Sequence, residues 1–86
     1  MPRYLVERTF PDGQPAPSAD ALPAIVDRNA EEGVTWIHSY VADDGKTTYC
    51  VYDAPTPEAI RRTAAANRLP VDRIAQVRVL DPYFYA

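Results

Sequence analysis

The chain has 86 residues, of which 47% are hydrophobic and 24% charged, and its formal net charge at pH 7 is −3. These values are typical of a single small globular domain that spans residues 1–86. Acidic and basic residues are interleaved, so the chain lacks the clustered basic surface that nucleic acid requires, and no apolar run approaches the roughly 20 residues of a membrane span. We therefore expect neither nucleic acid nor a membrane as a partner.

The cysteine content indicates the compartment. The chain contains one cysteine, which cannot form an internal disulfide and excludes a disulfide-stapled secreted scaffold. The first ten residues lack the basic-then-apolar layout of a signal peptide. These features predict a cytoplasmic protein with a reduced thiol. A chain of this length hides only about 60–65% of the surface that its unfolded form exposes, so a partner subunit would add stability.

The first half of the chain predicts a strand, a loop and a helix. Residues 3–9 mix β-branched, aromatic and charged residues in a pattern typical of a strand. The next segment, "FPDGQPAPSADALP", contains four prolines, which predicts an exposed and semi-rigid loop. Apolar residues then recur at helical spacing over residues 20–32, with Pro23 expected in the first turn and Gly33 at the helix end.

The second half predicts two strands, a helix and a last strand. Residues 34–42 and 46–54 are strong strand patterns joined by the turn sequence Asp-Asp-Gly. A second helix should begin with Thr56 as N-cap, followed by Pro57 and Glu58. Residues 73–80 predict a final strand, followed by a short aromatic tail, "DPYFYA".

The resulting order, βαββαβ, predicts a ferredoxin-like α+β fold. In this arrangement an antiparallel sheet carries both helices on one face. The other face of the sheet is then left open. We expect that face to be either polar or an interface with a second copy of the chain.

The hairpin holds the only histidine, tryptophan and cysteine of the chain. If Asp43-Asp44-Gly45 forms a three-residue loop, Ala42 faces Lys46, and His38 lies opposite Cys50. Trp36 would then lie opposite Tyr52, and Tyr40 opposite Thr48, all on the open face. Ile37, Val41, Tyr49 and Val51 would lie beneath the helices. A two-residue turn would instead put His38 and Cys50 on opposite faces. We predict the three-residue loop, because it gathers the apolar residues on the face that the helices cover, and a sheet with one buried face resists a slip of one residue.

A histidine and a cysteine directly opposite each other can chelate one metal ion. Their Cβ atoms would be about 4.5–5.5 Å apart, which suits metal–ligand bonds of about 2.0 and 2.3 Å. Imidazole and thiolate favour nickel, zinc or copper over magnesium or calcium. Two ligands are too few for a closed site, so carboxylates such as Glu7, water molecules or a second chain must complete it.

Other interpretations of the same residues stay open. A lone cysteine is commonly a small buried hydrophobic residue, and the aromatic residues are commonly packed in an interface. Cys50 as a nucleophile with His38 as base lacks a third residue to orient the base, so the motifs favour a binding protein over an enzyme. Two alternatives use the open face. One is a small-molecule pocket or cofactor-free enzyme of the dimeric α/β-barrel type, lined by Trp36, Tyr40, Tyr52 and His38, and the other is an interaction module.

Four segments carry a resemblance to a known family: "YLVERTFP", "GVTWIHSYV", "KTTYCVYDAPTPEAIRR" and "LPVDRIAQVRVLDPYF". Over residues 3–85 the chain resembles a family of small bacterial proteins, long catalogued as a domain of unknown function, of which one member is described as nickel-binding. The resemblance implies a ferredoxin-like fold, a homodimer, and Ni(II) bound at the dimer surface for sequestration or detoxification. The preference for nickel over zinc or copper follows from the resemblance alone.

Overall fold

The secondary structure follows the predicted order. The protein is described here by a computed structural model, which covers residues 1–13 and 20–84. The elements of this part of the chain are β1 (Arg3–Thr9), α1 (Leu22–Glu31), β2 (Thr35–Val41), β3 (Thr47–Asp53), α2 (Pro57–Ala66) and β4 (Arg73–Val77). The βαββαβ prediction is therefore confirmed. The centre of the proline-rich segment, predicted to be an exposed loop, lies outside the described residues, as do residues 85 and 86.

The four strands form one antiparallel sheet in the order β2-β3-β1-β4. Both helices lie on the same side of this sheet, as the ferredoxin-like fold requires. They are tied to each other by side-chain bonds, including Arg62 Nε to Glu32 Oε2 at 2.8 Å. The opposite side of the sheet, called the open face below, carries no helix.

Local sequence signals set the helix ends. Pro23 lies in the first turn of α1, and Gly33 adopts a φ of +71° just beyond its end, a conformation that favours glycine. The hydroxyl of Thr56 accepts a hydrogen bond from the amide of Ala59 at 3.2 Å and caps α2. Within the described residues, no helix has the length and apolar character needed to cross a bilayer.

The last strand is shorter than predicted. β4 ends at Val77, which pairs with Arg3, the first residue of β1. Because β1 begins there, residues 78–80 have no neighbouring strand to bond with, although their sequence is apolar enough for a strand. The length of β4 is thus set by its partner and not by its own composition.

The hydrophobic core lies between the sheet and α2. Val6 and Ile60 are fully buried and form its centre. The other members come from β1, β3, α2 and the segments that flank them: Tyr4, Val34, Cys50, Tyr52, Ala54 and Ala59. Because Tyr4 and Val6 alternate with Leu5 along β1, the even-numbered residues of that strand face the helices.

Candidate functional site

The turn between β2 and β3 decides which predicted site residues can meet, and it is one residue longer than predicted. The amide of Ala42 donates to the carbonyl of Thr47 at 2.9 Å, so Ala42 does not pair with Lys46. The Asp44 carboxylate accepts from the amides of Lys46 at 2.8 Å and Thr47 at 3.3 Å. These two bonds draw Lys46 into the turn, a local capping that aspartate commonly provides.

The longer turn shifts the register of the hairpin. His38 lies opposite Val51, and Cys50 lies opposite Ser39. The predicted cross-strand pair of His38 and Cys50 is therefore wrong. A shift by one residue moves a side chain to the other face of the sheet. The side chains of His38 and Cys50 therefore project from opposite faces.

A β-bulge corrects the register farther along the same strands. The irregularity lies between Trp36 and His38 and inserts one extra residue into β2. Beyond the bulge, Trp36 lies opposite Tyr52, so that predicted pair is confirmed. Bulges are common on edge strands, and β2 is an edge strand of this sheet.

The faces of β3 are the reverse of those predicted. Thr48, Cys50 and Tyr52 are buried on the side that the helices cover. Tyr49 and Val51, predicted to lie beneath the helices, lie instead on the open face. Burial on this strand is thus settled by the register against β1, where the core residues Val6 and Tyr4 face Cys50 and Tyr52.

Cys50 belongs to the interior. It is 6% exposed, and its sulfur lies 3.8 Å from the hydroxyl oxygen of Thr48. His38 projects from the other face, so one chain in this arrangement cannot grip a single ion with both side chains. Cys50 is a member of the hydrophobic core, which agrees with the alternative interpretation of the lone cysteine as a small buried hydrophobic residue.

His38 is exposed on the open face of edge strand β2. Its ring packs edge-on against Tyr40, with the ring centroids 5.0 Å apart and the planes at 83°. Tyr40 lies opposite Tyr49. The predicted pair of Tyr40 with Thr48 is therefore wrong. Among the described residues, no side chain or backbone group forms a hydrogen bond with the imidazole nitrogens. They are therefore available to bind a ligand from solvent.

Glu7 shares the open face with His38. It pairs with Tyr49 of β3 and with Arg73 of β4, so it lies two strands away from β2. From the strand spacing and the rise per residue, its Cα lies about 12 Å from that of His38. The structure thus places Glu7, predicted as a further ligand, on the same face of the sheet as His38.

Metal ligands are sparse within one chain. Among residues 1–13 and 20–84, no group of three or more histidine, cysteine, aspartate or glutamate side chains is arranged to hold a metal ion. His38 and Glu7 supply one nitrogen and one carboxylate on the same face. Any complete coordination sphere at this face needs additional ligands from outside the chain.

The aromatic residues predicted to line a pocket divide between the two faces. Trp36 and Tyr52 lie on the helix side, where the indole Nε1 of Trp36 donates to the hydroxyl of Ser39 at 2.9 Å. His38 and Tyr40 lie on the open face. A cavity of about 420 Å³ lies at the end of the sheet around Arg3, and one of about 140 Å³ lies between α1 and β2. Neither is lined by His38 or Tyr40.

One buried charged residue escaped the sequence analysis. Arg8 is 2% exposed; it donates to the carbonyl of Pro70 at 2.5 Å and to the hydroxyl of Tyr52 at 3.2 Å. In the described part of the chain, its Nε has no hydrogen-bond partner and no carboxylate pairs with it. The sequence signal that could have identified Arg8 as buried is its position two residues after Val6, on the same face of β1 as Tyr4 and Val6.

The hydroxyl of Tyr52 responds to this environment. Burial raises the pKa of Tyr52, and the positive charge of Arg8 offsets part of that increase. The phenol therefore stays protonated near neutral pH and donates or accepts as a neutral group. Together, Arg8 and Tyr52 fix the segment after α2 to the sheet, a structural role that needs no ligand.

Comparisons with known proteins agree with the fold. A model of the family described as "Nickel responsive protein SCO4226-like" matches residues 4–77, and the chain belongs to this family. The crystal structure of SCO4226 from Streptomyces coelicolor A3(2) superimposes with a TM-score of 0.66 at 18% sequence identity, covering 92% of this chain and 99% of that chain. At that identity the structural likeness shows the fold alone. No curated protein matches the chain at a significant level.

Proposed function

We propose that this member of the SCO4226-like family is a cytoplasmic homodimer that binds a divalent metal ion at the open face of its sheet. We propose nickel as the preferred ion. The role of the protein would be nickel sequestration or detoxification and not catalysis. The observation that supports the proposal best is the exposed imidazole of His38, whose nitrogens have no partner among the described residues. The description of the family as nickel responsive supports the choice of metal.

The ligand chemistry supports a borderline metal. Imidazole binds nickel, zinc and copper well, whereas magnesium and calcium prefer oxygen ligands. We assign His38 as the nitrogen ligand and Glu7 as the carboxylate on the same face. Cys50 faces the interior and would reach the metal only after a rearrangement of β3, so we leave it out of the proposed site.

A second copy of the chain supplies what one chain lacks. Zinc and nickel sites with few protein ligands fill the remaining positions with water or with residues from another subunit. In a symmetric dimer built on the open face, the imidazole of each chain approaches the surface of the other. The half-buried apolar residues of this face favour such an association: Leu5, Val51, Ala75 and Val77.

The test is a calorimetric titration of the full chain with Ni(II). We expect His38→Ala to weaken binding by at least about tenfold, because loss of even a residue that only supports a ligand typically costs about 10- to 100-fold in metal affinity. Glu7→Gln should weaken binding less, and Glu58→Gln, a matched loss of a carboxylate in the first turn of α2, should leave it unchanged. A parent-like titration of His38→Ala would remove the proposed site.

Two further measurements address the metal and the role. Competition with Zn(II) and Cu(II) ranks the three metals at this site. Because imidazole must give up its proton to bind a metal, the affinity for the metal should fall as the pH falls.

The proposed role is tested in cells. Bacteria that express the parent should retain more nickel and grow better in excess nickel than bacteria that express His38→Ala. Equal growth and equal nickel content would count against sequestration.

A further inference from the structure

The register of the sheet brings three strand ends together. Arg3, the first residue of β1, pairs with Asp53, the last residue of β3, and with Val77, the last residue of β4. The segments that adjoin these residues extend from the same end of the sheet. Between them lies the cavity of about 420 Å³ around Arg3, which is lined by residues 1–3, Asp53 and residues 76–79. We call it the sheet-end cavity.

Hydrogen bonds fix one wall of the sheet-end cavity. The guanidinium of Arg3 donates to both carboxylate oxygens of Asp53, from Nε to Oδ1 at 2.9 Å and from Nη2 to Oδ2 at 3.2 Å. Next to this pair, the amide of Ala54 donates to the carbonyl of Pro2 at 3.1 Å. Asp53 is the one carboxylate among the described residues that line the cavity, and Arg3 binds both of its oxygens.

Two other polar side chains of the cavity wall have no partner. Within residues 1–13 and 20–84, the side chains of Gln76 and Arg78 form neither a hydrogen bond nor an ion pair. From side chains alone, two guanidiniums and one carboxylate leave one positive charge unbalanced in the cavity wall. The chain as a whole has a formal net charge of −3, so this positive charge is a local feature. A cavity with such a wall attracts an anion.

The donors of the wall suit a carboxylate. A guanidinium presents its N–H groups in a planar fork that binds the two oxygens of a carboxylate in parallel. Arg78 supplies a guanidinium that no carboxylate of the described chain occupies. The side-chain amide of Gln76 adds further N–H donors. Both residues follow one another closely at the end of β4, so one carboxylate group can bind to both.

The rest of the wall is apolar and determines what the carboxylate must be attached to. Met1 is 75% exposed and Val79 is 73% exposed, while Val77 is half-buried. A ligand that is anionic at one end and apolar at the other removes these side chains from water, whereas inorganic phosphate does not. The cavity volume lies near the lower end of the range of small-molecule sites, about 300–1,000 Å³, which indicates a small ligand.

We propose that the sheet-end cavity binds a small organic acid, a monocarboxylate that carries an aromatic or branched aliphatic group. Arg78 and Gln76 bind the carboxylate, and Val77 and Val79 pack against the apolar group. This site goes beyond the proposed metal site and does not depend on it. Arg3, at the cavity, lies two strands away from His38, with about 12 Å between their Cα atoms.

The test is an NMR titration of the isotope-labelled full chain with phenylacetate, in the absence of metal. The amide signals of residues 76–79 should shift and saturate with a dissociation constant of about 1 mM or below, an ordinary affinity for a ligand of this size. Phenylacetamide is the neutral counterpart of this probe, and acetate lacks its ring. Each should bind at least about tenfold more weakly, because one loses the charge-assisted bonds and the other loses the apolar contact.

Two variants locate the site. Arg78→Gln removes the guanidinium and should weaken phenylacetate binding by at least about tenfold. Arg61→Gln is the matched control, because Arg61 is an exposed arginine of α2 outside the cavity. This control should bind phenylacetate like the parent. Both substitutions are at exposed positions, and the amide spectra of the two variants check that the fold is retained.

The contrary outcomes are distinct. Phenylacetamide, acetate or inorganic phosphate that binds as tightly as phenylacetate would overturn the proposed ligand class. An absence of shifts at residues 76–79, or an Arg78→Gln variant that binds like the parent, would overturn the site itself. Because the titration contains no metal, its result is independent of the calorimetry with Ni(II). Failure of this site and failure of the proposed metal site are thus told apart.

Discussion

Replacing Cys50 with alanine separates the hairpin of the structure from the hairpin that the sequence predicts. If His38 and Cys50 formed one chelate, each single substitution would weaken nickel binding by a similar factor. In the structure, Cys50 is 6% exposed within the core and faces away from His38. We therefore expect Cys50→Ala to lower stability and to leave nickel affinity unchanged.

The size of the stability loss follows from the packing. The substitution removes one heavy atom from a site surrounded by Val6, Tyr52 and Thr48, comparable to the loss of one buried methyl group. Such losses cost about 1 kcal/mol in the free energy of unfolding. For a domain of this size, that corresponds to a decrease of about 4–8 °C in Tm.

Two assays on the same preparations decide the matter. Urea denaturation followed by tryptophan fluorescence gives the free energy of unfolding, and calorimetry with Ni(II) gives the affinity. His38→Ala serves as the reciprocal variant: its exposed ring should cost less than about 0.5 kcal/mol of stability, while nickel affinity falls. A Cys50→Ala variant with parental stability and a tenfold loss of nickel affinity would refute the orientation of β3 described here.

Three further predictions concern the fold. Ile60→Ala, at a fully buried position of α2, should lower the free energy of unfolding by about 2–5 kcal/mol in chemical denaturation. The Arg3 guanidinium lies 2.9 Å from Asp53 and lowers the pKa of that carboxyl below its ordinary value of 3.8. The stabilising effect of this ion pair is therefore present at pH values above the ordinary pKa of Asp53 and is lost as the pH falls through the lowered pKa. NMR titration of Arg3→Met should show a higher pKa for Asp53 than in the parent. An unchanged pKa would contradict the pairing. Gly33→Ala should lower the free energy of unfolding by about 1 kcal/mol, because its positive φ is unfavourable for alanine. Crowding should not contribute, since the nearest atom to an added Cβ lies 3.8 Å away on Pro55. An unchanged thermal unfolding transition would show that the backbone at the helix end relaxes.

The order of the elements and many of their ends can be predicted from the amino-acid sequence. Strand patterns, the proline in the first turn of α1, the glycine after it and the Thr56 cap are local signals, because they depend on backbone bonds within a few residues. The glycine of the turn sequence Asp-Asp-Gly is another such signal, and Gly45 has the positive φ, +71°, that favours glycine. The βαββαβ order followed from these elements together.

Which side chains share a face of the sheet depends on contacts between strands, and local sequence does not specify these contacts. A single hydrogen-bonding aspartate, Asp44, lengthens the turn by one residue and moves Cys50 away from the face of His38. Side chains on a strand alternate with a period of two, so an error of one residue reverses a face while leaving the strand itself unchanged. The length of β4 and the burial of Arg8 likewise depend on the strand or segment alongside, which no short stretch of sequence specifies.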